Sequence, residues 1–183
     1  MPRIYEVIAR SYHFALGGEK DLTNAVKWYR KAAELGVGSA QDYMGLFYSG
    51  GHAGLKQSCA EALYWYDRAI KNGYEYSYGN KAWMLATCPD KSLRNGREAL
   101  QIMNSILKEN YKKTAGNLDT LAAAYAEIGD FKNAVEVQET ALHKLQGQKN
   151  TPRYRKFEER LSLYKNSKTW YGWSYAYPEE FDQ

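Results

Sequence analysis

Ala25-Val26-Lys27-Trp28-Tyr29-Arg30-Lys31-Ala32-Ala33-Glu34-Leu35-Gly36 is written again thirty-seven residues later as Ala62-Leu63-Tyr64-Trp65-Tyr66-Asp67-Arg68-Ala69-Ile70-Lys71-Asn72-Gly73. The small residue, the Trp-Tyr pair, the second small residue and the closing glycine keep their places. Ala99-Leu100 opens a weaker copy a further 37 residues on, and Ala134-Val135 a fourth after another 35, with Ala141 standing where the first copy has Ala32. A period of this length marks one supersecondary unit stacked several times. Each copy carries apolar residues at three- and four-residue spacing, so the unit is helical.

Outward from these copies the chain reads as helix hairpins. Ile4, Val7, Ile8 and Tyr12 form an amphipathic stripe that Gly17-Gly18 ends, and Asp21 or Thr23 caps the helix that closes at Gly36. Ser39, with Asp42 three residues on, reads as the reciprocal cap of the second hairpin, and Ser58 with Glu61 as a capping box for its partner helix. Ser77 and Asn80 open the third unit, Pro89-Asp90 turns it, and Asn95 with Glu98 caps its second helix. The fourth unit places Leu118, Leu121, Ala122 and Tyr125 before Gly129-Asp130, and Ala134, Val137, Ala141 and Leu145 after it. Thr151-Pro152 begins one more helix, with Phe157, Leu161 and Tyr164, that covers the open end of the stack.

The reading is an all-α chain: one repeat domain over residues 1–168, with units at about 3–36, 39–73, 76–110 and 115–146 and a capping helix at 152–165. Residues 169–183 are a tail dense in aromatics (Trp170, Tyr171, Trp173, Tyr175, Tyr177, Phe181) without helical period. Such a segment is expected to pack along the capping helix and last repeat. Trp28 and Trp65, identically placed in two units, are expected to be equivalent fillers between helices.

Units one and two resemble the Sel-one-like repeat (SLR), a relative of the tetratricopeptide repeat. Met44-Gly45-Leu46-Phe47-Tyr48 and the two Trp-Tyr segments carry the likeness, while Leu121, Ala122, Tyr125, Ala134 and Ala141 resemble a plain tetratricopeptide repeat. The resemblance covers about residues 4–145 and points to bacterial repeat proteins. It implies a right-handed superhelical solenoid of antiparallel helix hairpins whose first helices line a concave face. It also implies work by binding a protein or peptide there, without a cofactor. Carried over by position, that face holds Arg10, His13, Asp42, Leu46, Trp83 and Asp119 as partner-binding residues, with Glu6, Ser49, Tyr76 and Ala123 beside them. The repeated Lys/Asn set with which some tetratricopeptide domains hold a peptide carboxylate is missing. A non-catalytic scaffold or adaptor is the function implied, with an immunity protein against a bacterial toxin as the alternative.

Catalytic chemistry finds little support. His13, His52 and His143 fall in three units without HxxxH or HExxH spacing, and Gly45 to Gly50 lacks both the Lys-Ser/Thr of a phosphate loop and a preceding strand. Cys59 and Cys88 form no CxxC pair, so no zinc site is indicated, and a single bridge stays open. A net charge of +4 from 25 basic and 21 acidic side chains favours solubility over polyanion binding. The basic segment from Lys144 to Lys168, interleaved with Tyr154, Tyr164 and Trp170, offers single-stranded nucleic acid as a lesser alternative, against the simpler reading of a solvated cap. Charge interrupts the apolar residues of the first ten positions, which predicts no signal core and no membrane span, hence a cytoplasmic protein.

Overall fold

A computed structural model describes residues 2–109 and 112–172. Nine α-helices occur among them and no strand: α1 (Pro2–His13), α2 (Leu22–Glu34), α3 (Gly38–Gly50), α4 (Cys59–Lys71), α5 (Ser77–Thr87), α6 (Gly96–Ile106), α7 (Ala115–Glu127), α8 (Phe131–His143) and α9 (Pro152–Lys165). The chain divides after Lys81 into two compact units, and α5 runs through the division. In the first unit α1 packs on α2, α2 on α3 and α3 on α4; in the second α6 packs on α7, α7 on α8 and α8 on α9.

The helix ends follow the sequence closely. Asp21 caps α2, Ser58 caps α4, Asn95 caps α6 and Thr151 caps α9, each side chain accepting from a backbone N–H three residues on. Gly36 and Gly73 take φ of +86° and +80°, conformations that side chains with a Cβ rarely adopt. The residue after each turns its N–H back into the helix, Val37 to the Ala32 carbonyl at 3.1 Å and Tyr74 to that of Ala69 at 2.9 Å.

One cap reading is corrected. The glycine turn after α2 leads directly into α3, whose N-cap is Val37 without a side-chain bond. Ser39 therefore lies inside the helix and donates to Glu6 on α1 at 2.8 Å, while Asp42 turns to the next helix.

The cores are built on a small residue facing a ring. The eighth residues of α1 and α3 are Ala9 and Gly45, and the eighth residues of α2 and α4 are Tyr29 and Tyr66, all deeply buried. A Cβ on Gly45 would stand 2.3 Å from Tyr66 Cε1, so the ring occupies the space that the missing side chain leaves. Gln41, also buried, ties three helices together, donating to the Ala33 carbonyl and accepting from Asn72, both at 2.8 Å.

The two tryptophans are not equivalent. Trp65 is 4% exposed within the first core, whereas Trp28 is only partly buried, stacked at 5.6 Å on Tyr5. What the copies share is the cation beside the indole: Lys31 Nζ lies 4.5 Å from the Trp28 ring centroid, and the Arg68 guanidinium 5.2 Å from that of Trp65.

In the second unit the chain after α9 is strapped down. The Gly172 N–H donates to the Thr87 carbonyl at 2.9 Å, Trp170 lies 5.6 Å from Trp83, and the Arg94 guanidinium stands 3.8 Å over the Tyr171 ring. The tail thus begins by packing on its own unit; Trp173, Tyr175, Tyr177 and Phe181 lie outside the described residues. Neither Cys59 nor Cys88 carries a free thiol.

Candidate interaction surface

An acidic residue at a fixed register ties three of the first helices to their neighbours. Glu6, Asp42 and Asp119 are the fifth residues of α1, α3 and α7. Each is taken by donors from another helix: Glu6 by Ser39; Asp42 Oδ1 by Ser77 Oγ at 2.6 Å and Asn80 Nδ2 at 2.9 Å; Asp119 by Arg160 and Gln138. In α5 that register holds Lys81, which pairs with Asp67 on α4 at 2.8 Å.

The Asp119 lock is the most elaborate. Arg160 Nε and Nη2 donate to Asp119 Oδ1 and Oδ2, both at 2.8 Å, and the two side chains are 2% and 1% exposed. Gln138 Nε2 donates to the same Oδ1 at 2.8 Å and to the Phe157 carbonyl at 3.1 Å. The Arg160 guanidinium also lies 5.0 to 5.4 Å from the ring centroids of Phe157, Trp83 and Trp170. A buried cation needs such complete company, because removal from water costs several kcal/mol.

Four of the six residues expected to bind a partner are therefore interior. Asp42 and Asp119 are locks, Trp83 is a wall of the Arg160 site, and His13 is buried in a ring cluster. Their side chains bind the protein's own helices and offer no surface to a partner. Burial raises the Asp42 carboxyl above the usual range, against the lowering effect of the Ser77 and Asn80 bonds. Burial, helped by the charges of Lys20, His52 and Arg10, holds the His13 imidazole down to about 4. His13 Nδ1 lies 3.3 Å from the Tyr29 hydroxyl.

Arg10 is exposed and Leu46 half-buried, and around them the first unit assembles an aromatic face that residue-by-residue transfer did not find. Phe14 stacks on His13 at 4.3 Å, with the Arg10 guanidinium 5.8 Å from its centroid. Tyr43 stands edge-on to both His13 and Phe14 and stacks on Tyr29 at 4.5 Å. Tyr74 meets Tyr76 at 5.4 Å, and Tyr76 is 80% exposed. Burial and the nearby Asp42, Tyr43 and Glu6 push the Tyr74 hydroxyl up to about 12, so it stays a donor at neutral pH. The available signal was the density of rings from Tyr74 to Tyr78, of which the sequence reading placed Tyr76 alone on the binding face.

Other chemistry has less to work with. Among the described residues no group of three His, Cys, Asp or Glu could hold a metal ion. A shallow depression of about 220 Å³ in the second unit brings His143 near Glu139 and Lys149, but Glu139 already pairs with Lys165 at 2.8 Å. No described helix is long and apolar enough to cross a membrane.

Helix hairpins locked at a repeated register define the class: this is an all-α helical repeat protein. Residues 8–37 and 38–74 match the Sel1 repeat family, so the chain carries two Sel1 repeats in its first unit. Among solved structures it is similar to a Sel1 repeat protein from Oxalobacter formigenes, at 23% identity over 87% of this chain and 70% of that one, with a TM-score of 0.60. It is also similar to c5321, a protective antigen of uropathogenic Escherichia coli strains displaying an SLR fold. That match has 18% identity and a TM-score of 0.53, and this chain, 99% covered, spans 47% of it. No curated protein matches the chain. The likenesses establish the SLR fold.

Proposed function

We propose that the chain is a non-catalytic protein-interaction scaffold that takes a protein or peptide segment on the aromatic face formed by the end of α1, by α3 and by the connection from α4 to α5. Sel1 repeat proteins generally act as protein-interaction scaffolds. The observation that supports this face is the half-exposed run of rings, Phe14, Tyr43, Tyr74 and Tyr76, with the Arg10 guanidinium at its edge. Tyrosine and arginine dominate the energetics of protein interfaces, because a rigid ring buries much area at small entropic cost and a guanidinium donates in a fixed fork. Phe14 and Tyr43 are already held by His13 and Tyr29, so these two rings lose little further order on binding.

The test is photocrosslinking in the native cell, with a benzophenone amino acid in place of Tyr76 and, as a control, in place of the exposed Glu159. Discrete protein adducts at position 76, lost on Arg10→Glu with an unchanged helical circular dichroism spectrum, support the reading. The same adducts at both positions, or adducts indifferent to Arg10→Glu, refute it.

A further inference from the structure

The outer face of α1 carries exposed apolar side chains. Ile4 is 59% and Val7 61% exposed, and they form an apolar stripe at three-residue spacing along the helix.

The internal repeat shows what belongs there. Ile4 and Val7 are the third and sixth residues of α1; in α3 those registers hold Ala40, fully buried, and Tyr43, packed on rings of α1 and α2. In α7 the sixth register holds Thr120, also buried. In the interior of a stack this register is covered by a helix.

Charge selects the kind of helix. Along the edge of the stripe stand Arg3 and Arg10, both exposed, whereas the single carboxylate of α1, Glu6, is held by Ser39. Arg3 is the second residue of its helix, the register from which Ser39 reaches the acidic residue of the preceding first helix in α3. A second copy presenting the same face would bring arginines against arginines. We propose that the outer face of α1 docks an acidic amphipathic helix of another protein, its apolar stripe on Ile4 and Val7 and its carboxylates on Arg3 and Arg10.

The probe is a fluorescein-labelled 20-residue helical peptide with a leucine stripe flanked by glutamates, compared with the same peptide carrying lysines, by anisotropy against the full chain. The acidic peptide is expected to bind at least tenfold more tightly than the basic one and to weaken with salt. Val7→Glu, Val7→Ala and Arg3→Glu each weaken it at least tenfold, with circular dichroism confirming the fold; Arg10 borders both faces, and Tyr76→Ala, which leaves this binding unchanged, separates the two. Equal binding of the two peptides, or indifference to both Val7 variants, overturns the proposal. So does self-association in sedimentation that Val7→Glu abolishes, which makes a second copy the occupant. Binding that appears only after removal of residues 173–183, which carry Glu179, Glu180 and Asp182, makes the chain's own tail the occupant and equally overturns it.

Discussion

Replacing Asp119 by alanine should be among the most damaging single changes in the second unit. It removes both acceptors of the Arg160 fork, two bonds of 2.8 Å, and one of the two acceptors of Gln138 Nε2. Arg160, 2% exposed and boxed by Phe157, Trp83 and Trp170, cannot swing to water without opening that packing. An uncompensated buried charge of this kind costs about 3–5 kcal/mol. The pair itself is worth much less, because both ions were desolvated to form it. Asp119→Leu combined with Arg160→Met should therefore lie within about 1–2 kcal/mol of the wild type. Urea titrations followed by circular dichroism and tryptophan fluorescence measure Asp119→Ala beside the cycle of wild type, Asp119→Leu, Arg160→Met and the double variant, with Trp83 and Trp170 reporting from beside the site. A loss below about 1 kcal/mol in Asp119→Ala, or a double variant as weak as the worse single one, refutes the argument that the lock exists to neutralise a buried arginine.

Four further outcomes follow from the first unit. Gly45→Ala should lose about 1–2 kcal/mol in denaturant titration despite a helix-propensity gain of about 1 kcal/mol, since Tyr66 is buried and cannot yield to a Cβ 2.3 Å away. Trp65→Ala should cost about 3–5 kcal/mol and Trp28→Ala about 1–2, because only the former ring is fully buried; equal losses would show that the copies are equivalent after all. His13, depressed from 6.5 to about 4, binds its proton more readily in the unfolded chain, so its contribution is complete above pH 6.5 and is lost as pH falls toward 4. That loss is about 2 kcal/mol after allowance for solvent screening of the neighbouring charges, and His13→Gln should flatten the corresponding limb of a pH–stability curve. Asp42 has the opposite sign: with its carboxyl raised, stability falls as pH rises above the ordinary carboxylate range. Asp42→Asn keeps an Oδ1 for Ser77 and Asn80 and should be at least as stable at pH 7.

Much of the fold was legible because it is local. Caps such as Asp21, Ser58, Asn95 and Thr151 act within three residues, glycine turns such as Gly36 and Gly73 are set by one backbone angle, and the 37-residue period exposes the hairpin directly. The candidate site was not local. Asp42, Asp119 and Trp83 occupy registers that a repeat alignment assigns to a ligand face, yet the sequence carries no sign that donors 35 and 41 residues away, Ser77 and Arg160, would claim the two carboxylates. Trp28 and Trp65 share the following tyrosine, the flanking small residues and a cation three residues on, yet differ in what covers them. Sequence by itself determined the helices, their ends and their repetition, since these depend on side chain and backbone a turn apart. Tertiary structure alone decided which polar groups are spent inside and which rings remain exposed, because burial and pairing are properties of neighbours that the chain brings together only by folding.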